Sequence, residues 1–448
     1  MELFSLIRGI IGLLLILGIA FLFSNNKRKI NWRLVTSGIA IQLVFAILII
    51  HSEALRKLFF PLGWPKDLMN WMGGAVVSLL GYTMKGAEFV FGRLAIGAGT
   101  DSLGFFFAFQ VLPTIIFVST LSYVFYYLGI LQAVVKVMAF VMSKIMGASG
   151  AESLSNTANI FLGHTEAPLL VRPYIEKMTN SELLTIMIGG MATISAGVMV
   201  GYVMMLGQAY SVNFHQDLYA SQIKFAVHLL AGSVMAAPGS IVIAKIIYPE
   251  VCESETKGSV KLKVDKNASN IIEAAASGAS DGLKLALNVA AMLISFIALI
   301  ALINYLLISF GYFTGINNYL QTNFGQPLSM QLIFGLLLKY IAIGIGVPFS
   351  DALHFGSLVG TKVVLNEFVA YMDLSNLIKS GAMTEKGIIM ATYALCGFAN
   401  FSSIAIQIGG IGPMAPSRRK DIAALGLRAV LGGSLATFMT ATMAGILI

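Results

Sequence analysis

Two carboxylates with polar companions stand in stretches that are otherwise apolar. Residues 163–175 read GHTEAPLLVRPYI, which sets His164, Thr165 and Glu166 side by side directly after Ile160-Phe161-Leu162. Residues 361–371 read TKVVLNEFVAY, which sets Asn366 and Glu367 among Val, Leu and Phe. An apolar run broken by small and polar residues follows each. Ser195, in ATISAGVMVGY (192–202), lies 29 residues beyond Glu166, and Asn400, in CGFANFSSIAIQIGG (396–410), lies 33 residues beyond Glu367. An ionised carboxylate only accepts hydrogen bonds, whereas a carboxamide donates and accepts, as do the hydroxyls of Thr165, Ser195, Ser402 and Ser403. No Arg or Lys lies within the two tips. Such a set repels phosphates and carboxylates. It suits a neutral, hydroxyl-rich solute entering with a cation such as Na⁺ or H⁺.

Other chemistries find little support. The five histidines show no HxxxH or HExxH spacing, so no dedicated metal centre is expected. Gly344-Ile345-Gly346 lacks the strand that a phosphate loop needs. An intramembrane enzyme would require a nucleophile–base pair or metal ligands at membrane depth. A pore would present rings of like residues rather than two dissimilar polar clusters. The two cysteines, Cys252 and Cys396, are read as packing residues without a disulfide.

The surroundings of these clusters must be a membrane. The chain has 448 residues, 57% hydrophobic and 11% charged, with a mean hydropathy of +0.84. Soluble domains average about 25% charged residues. The net charge of +8 is therefore read as basic cytoplasmic loops rather than a nucleic-acid surface.

A bilayer-crossing helix needs about 20 apolar residues. Windows of that kind near 3–24, 34–51, 104–130, 182–206, 222–247, 285–311, 387–410 and 424–447 predict eight spans. The first has Arg8 near its start and no small-residue cleavage site, so it reads as a retained span. The loops containing Lys27, Arg28, Lys29 and Arg33, and Arg418, Arg419 and Lys420, read as cytoplasmic, which places both termini outside. Residues 66–98 and 131–147 read as interfacial helices. Residues 148–178 and 328–373 are apolar but interrupted, and are expected to be re-entrant hairpins, since irregular backbone survives at membrane depth only under cover of protein or a cavity. The polar loop 249–270, with Lys261, Lys263 and Asp265, separates the halves, and Asn267-Ala268-Ser269 matches a glycosylation sequon by three residues only.

The expected fold class is an all-α polytopic membrane protein with an inverted-repeat transport domain on a scaffold. Residues 1–147 are expected to form scaffold spans and interfacial helices. Residues 148–247 form a first repeat (hairpin 148–178, broken span 182–206, closing span 222–247). Residues 248–327 hold the polar loop and a scaffold span, and 328–448 form a second repeat (hairpin 328–373, broken span 387–410, closing span 424–447). Hairpin, broken span and closing span, twice over, are the pattern of a secondary transporter with its site near the midplane.

GHTEAPLLVRPYI, GVPFSDAL (346–353), LNEFVAY (365–371), ALCGFANFSSIAIQIGG (394–410) and LRAVLGGSLATFMTATMAGIL (427–447) resemble the concentrative nucleoside transporters over roughly residues 90–448. The first 65 residues match only in being two spans. The resemblance implies a homotrimer in the lipid bilayer of the cell's inner membrane, each protomer importing nucleosides on a Na⁺ or H⁺ gradient by an elevator movement, with no cofactor and no nucleic-acid partner. Carried over by motif, His164, Thr165 and Glu166 would face the nucleobase, with apolar contact from Val200 and Phe398. Glu367 and Asn400, with Asn366 and Ser403 nearby, would bind the ribose. A sodium ion would take the carbonyls of Asn159, Leu162 and Ala196 and the hydroxyl of Ser195. His164 stands where the family usually has Gln, which opens the question of purine against pyrimidine preference.

Overall fold

The computed structural model describes residues 2–96, 103–104, 106–257 and 268–448, with side chains from residue 5 onward. Residues 97–98 of the expected interfacial helix, Lys261, Lys263 and Asp265 of the polar loop, and Asn267 of the sequon lie outside the described residues. Among those described, all regular structure is helical.

Among the described residues seven helical stretches are long and apolar enough to cross a membrane, Ser5–Leu22, Trp32–Ile50, Phe107–Tyr127, Asn180–Phe214, Leu218–Ile247, Ile271–Phe313 and Pro416–Leu447. The eighth expected span, 387–410, is two half-helices, Glu385–Leu395 and Phe401–Ile411, separated by Cys396–Asn400. The expected break in 182–206 is also present, between Asn180–Ala192 and Ala196–Phe214. The interfacial readings correspond to helices Trp64–Phe91 and Ile130–Met146.

Two expected boundaries need correction. The window 285–311 belongs to the 43-residue helix Ile271–Phe313. At 1.5 Å per residue it is about 65 Å long, twice the hydrocarbon thickness. Its first turns carry Glu273, Asp281 and Lys284, which kept them out of an apolar window. This helix packs closely on Leu112–Tyr127, because Gly278 and Gly282 lie against the backbone of Thr120 and Ile116. A Cβ on either glycine would fall 2.7–2.8 Å from those Cα atoms, the small-xxx-small device for close helix approach.

The stretch 328–373 is not one hairpin. Met330–Gly344 is a separate helix that packs along Ala352–Val364, and the glutamate-bearing turn lies between Ala352–Val364 and Glu367–Lys379. Met330–Gly344 is the more apolar of the two, and the stretch between them, 345–351, is short, so the sequence reads as one interrupted apolar segment. In the first half the corresponding arms are Gly150–Ala158 and the short turns Ala167–Val171 and Arg172–Ile175.

The basic loops converge on one end of the molecule. Asn25 N donates to Ile247 O at 3.0 Å, Ser181 Oγ to Tyr248 O at 2.6 Å, and Arg418 Nη2 to Asn180 Oδ1 at 2.7 Å. At the same end the buried Lys245 pairs with Glu152 at 2.8 Å and Glu250 at 3.2 Å, anchoring the base of the first hairpin. The chain's first and last helices pack together at the other end, where Lys386 Nζ donates to Ser5 Oγ at 2.7 Å.

Candidate functional site

Two half-helix N-termini meet at Glu367. Asn366 Oδ1 accepts from Val369 N at 3.0 Å and Asn400 Oδ1 from Ser403 N at 2.9 Å, so each asparagine caps the helix that follows it. Asn, Ser, Thr and Asp serve this role because a short side-chain acceptor satisfies an orphan amide of the first turn. Glu367 opens its own helix, and the positive end of that helix favours a carboxylate there. Its Oε2 accepts from Asn400 Nδ2 at 3.1 Å and its Oε1 from Tyr202 OH at 3.3 Å. Ser402 Oγ donates to Asn400 Oδ1 at 2.7 Å. Glu367, Asn366, Asn400 and Ser403 are all buried. These groups are acceptors and donors arranged around one carboxylate.

The first tip is built differently. Glu166 turns back on its own hairpin, accepting from Gly163 N at 3.2 Å through Oε2. It does not join Glu367. It lines a cavity of about 380 Å³ with Phe161, Leu162, Arg172 and Ser195, closed on the other side by Tyr123 and Asp281. Tyr123 OH donates to Asp281 Oδ2 at 2.7 Å across two long helices of that wall. Thr165 abuts Gly410. The His164 ring stands edge-on to Phe398, with centroids 4.8 Å apart, so this pair links the first tip to the second break. Val200 is enclosed in the apolar core.

Of the expected sodium ligands, Leu162 and Ser195 line the same cavity as Glu166. Ala196 N donates to Phe161 O at 3.4 Å, which joins the first tip to the break of the following span. Asn159 is fully buried, and neither of its side-chain polar atoms has a hydrogen-bond partner among the described residues. Carbonyls, a hydroxyl and an orphaned amide oxygen are the hard oxygen donors that an alkali cation takes. Among the described residues no group of three His, Cys, Asp or Glu is set for a metal.

Sequence reasoning missed three residues. Tyr202 reaches Glu367 while stacking on Tyr371 at 4.2 Å. It lay inside ATISAGVMVGY, two residues after Val200, and a lone tyrosine at the end of a small-residue run was the available signal. Gln407 is buried beside Gly190 and His164. Its Nε2 donates to Met187 O at 2.9 Å, and its Oε1 has no partner among the described residues, nor does His164 Nδ1. Lys362 is buried in the second hairpin's first arm, five residues before Glu367. The reading that no fixed cation belongs to these clusters is therefore incomplete.

Comparison with known proteins now has a geometry to meet. Family profiles described as Na⁺ dependent nucleoside transporter C-terminus, Na⁺ dependent nucleoside transporter N-terminus, and nucleoside recognition (Gate) match residues 228–445, 11–94 and 108–209. A nucleoside permease, NupC of Helicobacter pylori, is 39% identical over 99% of this chain and 98% of its own. The chain belongs to the concentrative nucleoside transporter family. An uncharacterised transporter of Haemophilus influenzae is 43% identical over 99% of this chain and 98% of its own. The solved structure of the concentrative transporter CNTnw in an inward-facing substrate-bound state superimposes with a TM-score of 0.83 at 38% identity, covering 99% of this chain and 98% of that one. The likeness includes the first two spans, so it extends further toward the N-terminus than the sequence motifs reached. The family is one of transporters, not enzymes.

Proposed function

We propose that this transporter imports nucleosides coupled to a cation, with the ribose held by Glu367 and Asn400 and the base read at His164, Thr165 and Glu166. The observation that carries the reading is the buried Glu367 carboxylate met by Asn400 at 3.1 Å and Tyr202 at 3.3 Å, one from each half of the chain. A ribose offers vicinal hydroxyls, and a carboxylate with adjacent amide donors matches them. Asn366 and Ser403 complete the polar wall, while Phe398 supplies apolar surface for the base and Val200 packs in the core. Na⁺ is the coupling ion we favour, at the carbonyls of Asn159, Leu162 and Ala196 and the hydroxyl of Ser195; the Ala196 N–Phe161 O bond between the first tip and the following break supports this placement.

The domain reading follows. Residues 1–147 and 248–327 act as scaffold. Residues 148–247 and the closing part of the chain are the two repeats, with the second hairpin at 352–379. The transport domain moves as an elevator against the scaffold, in a homotrimer within the cytoplasmic membrane, both termini outside. The exposed apolar faces of the long helix Ile271–Phe313, of which only 17% of the span window is buried, suit lipid and subunit contacts.

The test is counterflow in proteoliposomes. Vesicles preloaded with unlabelled uridine should accumulate labelled nucleoside transiently, which a pore cannot do. Uptake with Na⁺ and pH gradients varied separately then fixes the ion. No counterflow by any nucleoside would overturn the reading.

A further inference from the structure

The cavity that Glu166 lines has a second wall. Its hairpin side, with Leu162, Glu166 and Ser195, is already given to the cation and the base, whereas the facing side belongs to the helices Leu112–Tyr127 and Ile271–Phe313. Ser119, Ser122, Tyr123, Tyr126 and Tyr127 line it from the first helix, and Ser277 and Asp281 from the second. Spacings of three and four residues put each set on one face of its helix. Leu121, Val124 and Phe125, interleaved with the tyrosines, do not line the cavity. The polar and aromatic side chains are thus gathered toward the space and the aliphatic ones away from it.

This wall is held in place. Gly278 and Gly282 bring the two backbones together, Tyr123 OH donates to Asp281 Oδ2 at 2.7 Å, and Lys284 Nζ donates to Asp281 Oδ1 at 3.0 Å. A carboxylate has about four acceptor positions, so the fixed Asp281 keeps capacity for ligand hydroxyls. Tyrosine rings offer faces on which any base stacks. Arg172, which lines the cavity from the hairpin's returning arm, offers a planar guanidinium to the same ligand. Glu166 and Asp281 together disfavour a phosphate. At about 380 Å³ the space suits a small molecule, whose sites run from about 300 Å³ upward. Glu367, Asn400 and Tyr202 do not line it. It reaches Ala268 and Tyr127, whose hydroxyl donates to Ser269 O at 3.3 Å at the end of the polar loop.

We propose that this wall is a second nucleoside site, separate from the Glu367 cluster, with the base laid on the Tyr123, Tyr126 and Tyr127 face and the sugar hydroxyls taken by Asp281. It lies between the hairpin tip and the end of the polar loop, so a nucleoside leaving the first cluster in that direction passes over it. Every base presents a ring face, so the site takes purine and pyrimidine nucleosides alike, and discrimination stays at the first tip. A hairpin that slides carries Glu166 and Arg172 away from Tyr123 and Asp281, so the site is whole only in the arrangement described. The inference rests on the transport reading above.

The experiment is equilibrium binding of labelled uridine to the purified protein, with thermal unfolding as the check on folding. Wild type should bind uridine in a tight phase and a weak phase, and Glu367→Gln should keep the weak, saturable phase. Adding Asp281→Asn or Tyr126→Leu to Glu367→Gln should weaken that phase at least about five-fold, the loss expected for a charged acceptor or a stacked base. Adenosine should match uridine there, and 2′,3′-dideoxyuridine should bind as poorly as uridine binds the Asp281→Asn protein. A uridine with a photoreactive azide on its base should attach within residues 119–127 in wild type and in Glu367→Gln. If Glu367→Gln unfolds, the weak phase is read in wild type, where Asp281→Asn alone should remove it. A single phase in wild type would overturn the proposal. So would weak binding that neither Asp281→Asn nor Tyr126→Leu changes, or photolabel confined to residues 163–166. A wild-type protein that binds no nucleoside in either phase and shows no counterflow would instead sink the transport reading itself.

Discussion

Asn400 Nδ2 donates to Glu367 Oε2 at 3.1 Å, joining two helix N-termini that lie 33 residues apart in the chain. Each residue is held in place by its own helix: Glu367 opens the arm that Asn366 caps, and Asn400 caps Phe401–Ile411 while its amide turns to the carboxylate. A ligand hydroxyl that enters here meets a carboxylate whose position is fixed from both sides.

Glu367→Gln should reduce uptake to near background while leaving the folded protein and its oligomeric state intact. The change keeps the shape but removes the charge that strengthens each hydrogen bond. Bonds to charged groups contribute about 1.5–3 kcal/mol each, so loss of one weakens binding ten-fold or more. Labelled uridine uptake and size-exclusion of the purified variant check this. Near-wild-type uptake would end the assignment of Glu367 to the ribose.

Tyr202→Phe isolates the third partner. The ring keeps its stack on Tyr371 at 4.2 Å and its edge contact with Phe368 at 4.9 Å, so packing is preserved. Only the 3.3 Å hydroxyl contact to Glu367 is lost. At about 1 kcal/mol the expected result is a several-fold rise in the nucleoside concentration for half-maximal uptake. The thermal midpoint of the purified protein should stay close to that of wild type. A variant with unchanged affinity would show that the tyrosine holds no part of the carboxylate's bonding.

How much of this was legible beforehand depended on whether the signal was local. The breaks at Ser195 and Asn400 were readable because capping residues and small side chains interrupt apolar runs, and the helices end there. The tips were readable because a carboxylate is conspicuous among Val, Leu and Phe. Tyr202, Gln407 and Lys362 were not, since their roles depend on partners 165, 220 and 32 residues away. The second hairpin's start was misplaced for a different reason. Met330–Gly344 and Ala352–Val364 are both short and lie seven residues apart, and composition does not say which of them leads to the glutamate.

Ser195→Ala should raise the cation concentration for half-maximal uptake more than it alters nucleoside ranking. Ser195 makes no cap to its own helix, and it lines the cavity beside Leu162 and Glu166. Its hydroxyl is therefore available to a cation at the junction that Ala196 N and Phe161 O close. Cation titrations of uptake at fixed nucleoside check this. Uptake of wild type that is independent of Na⁺ would remove the ion from this junction.

His164→Gln should change the ranking of purine against pyrimidine nucleosides with little effect on ribose discrimination. His164 lies at the first tip, edge-on to Phe398, and its Nδ1 has no hydrogen-bond partner among the described residues. Which ring nitrogen carries the proton is set by the partner it finds, and a base edge is such a partner. A neutral imidazole offers one donor and one acceptor at opposite ring edges, whereas Gln offers both from one amide. Gln407, buried alongside with a partnerless Oε1, supplies a second amide to the same corner, so the two positions should read the base together. One such hydrogen bond discriminates by about 1 kcal/mol, which makes the expected shift several-fold rather than absolute. Competition of uridine, cytidine, adenosine, inosine and guanosine against one labelled substrate reads it out, with 2′- and 3′-deoxy analogues as the ribose control. Identical rankings in wild type, His164→Gln and Gln407→Leu would mean that this corner does not touch the base. A change in the deoxy control alone would place the sugar, not the base, at the first tip.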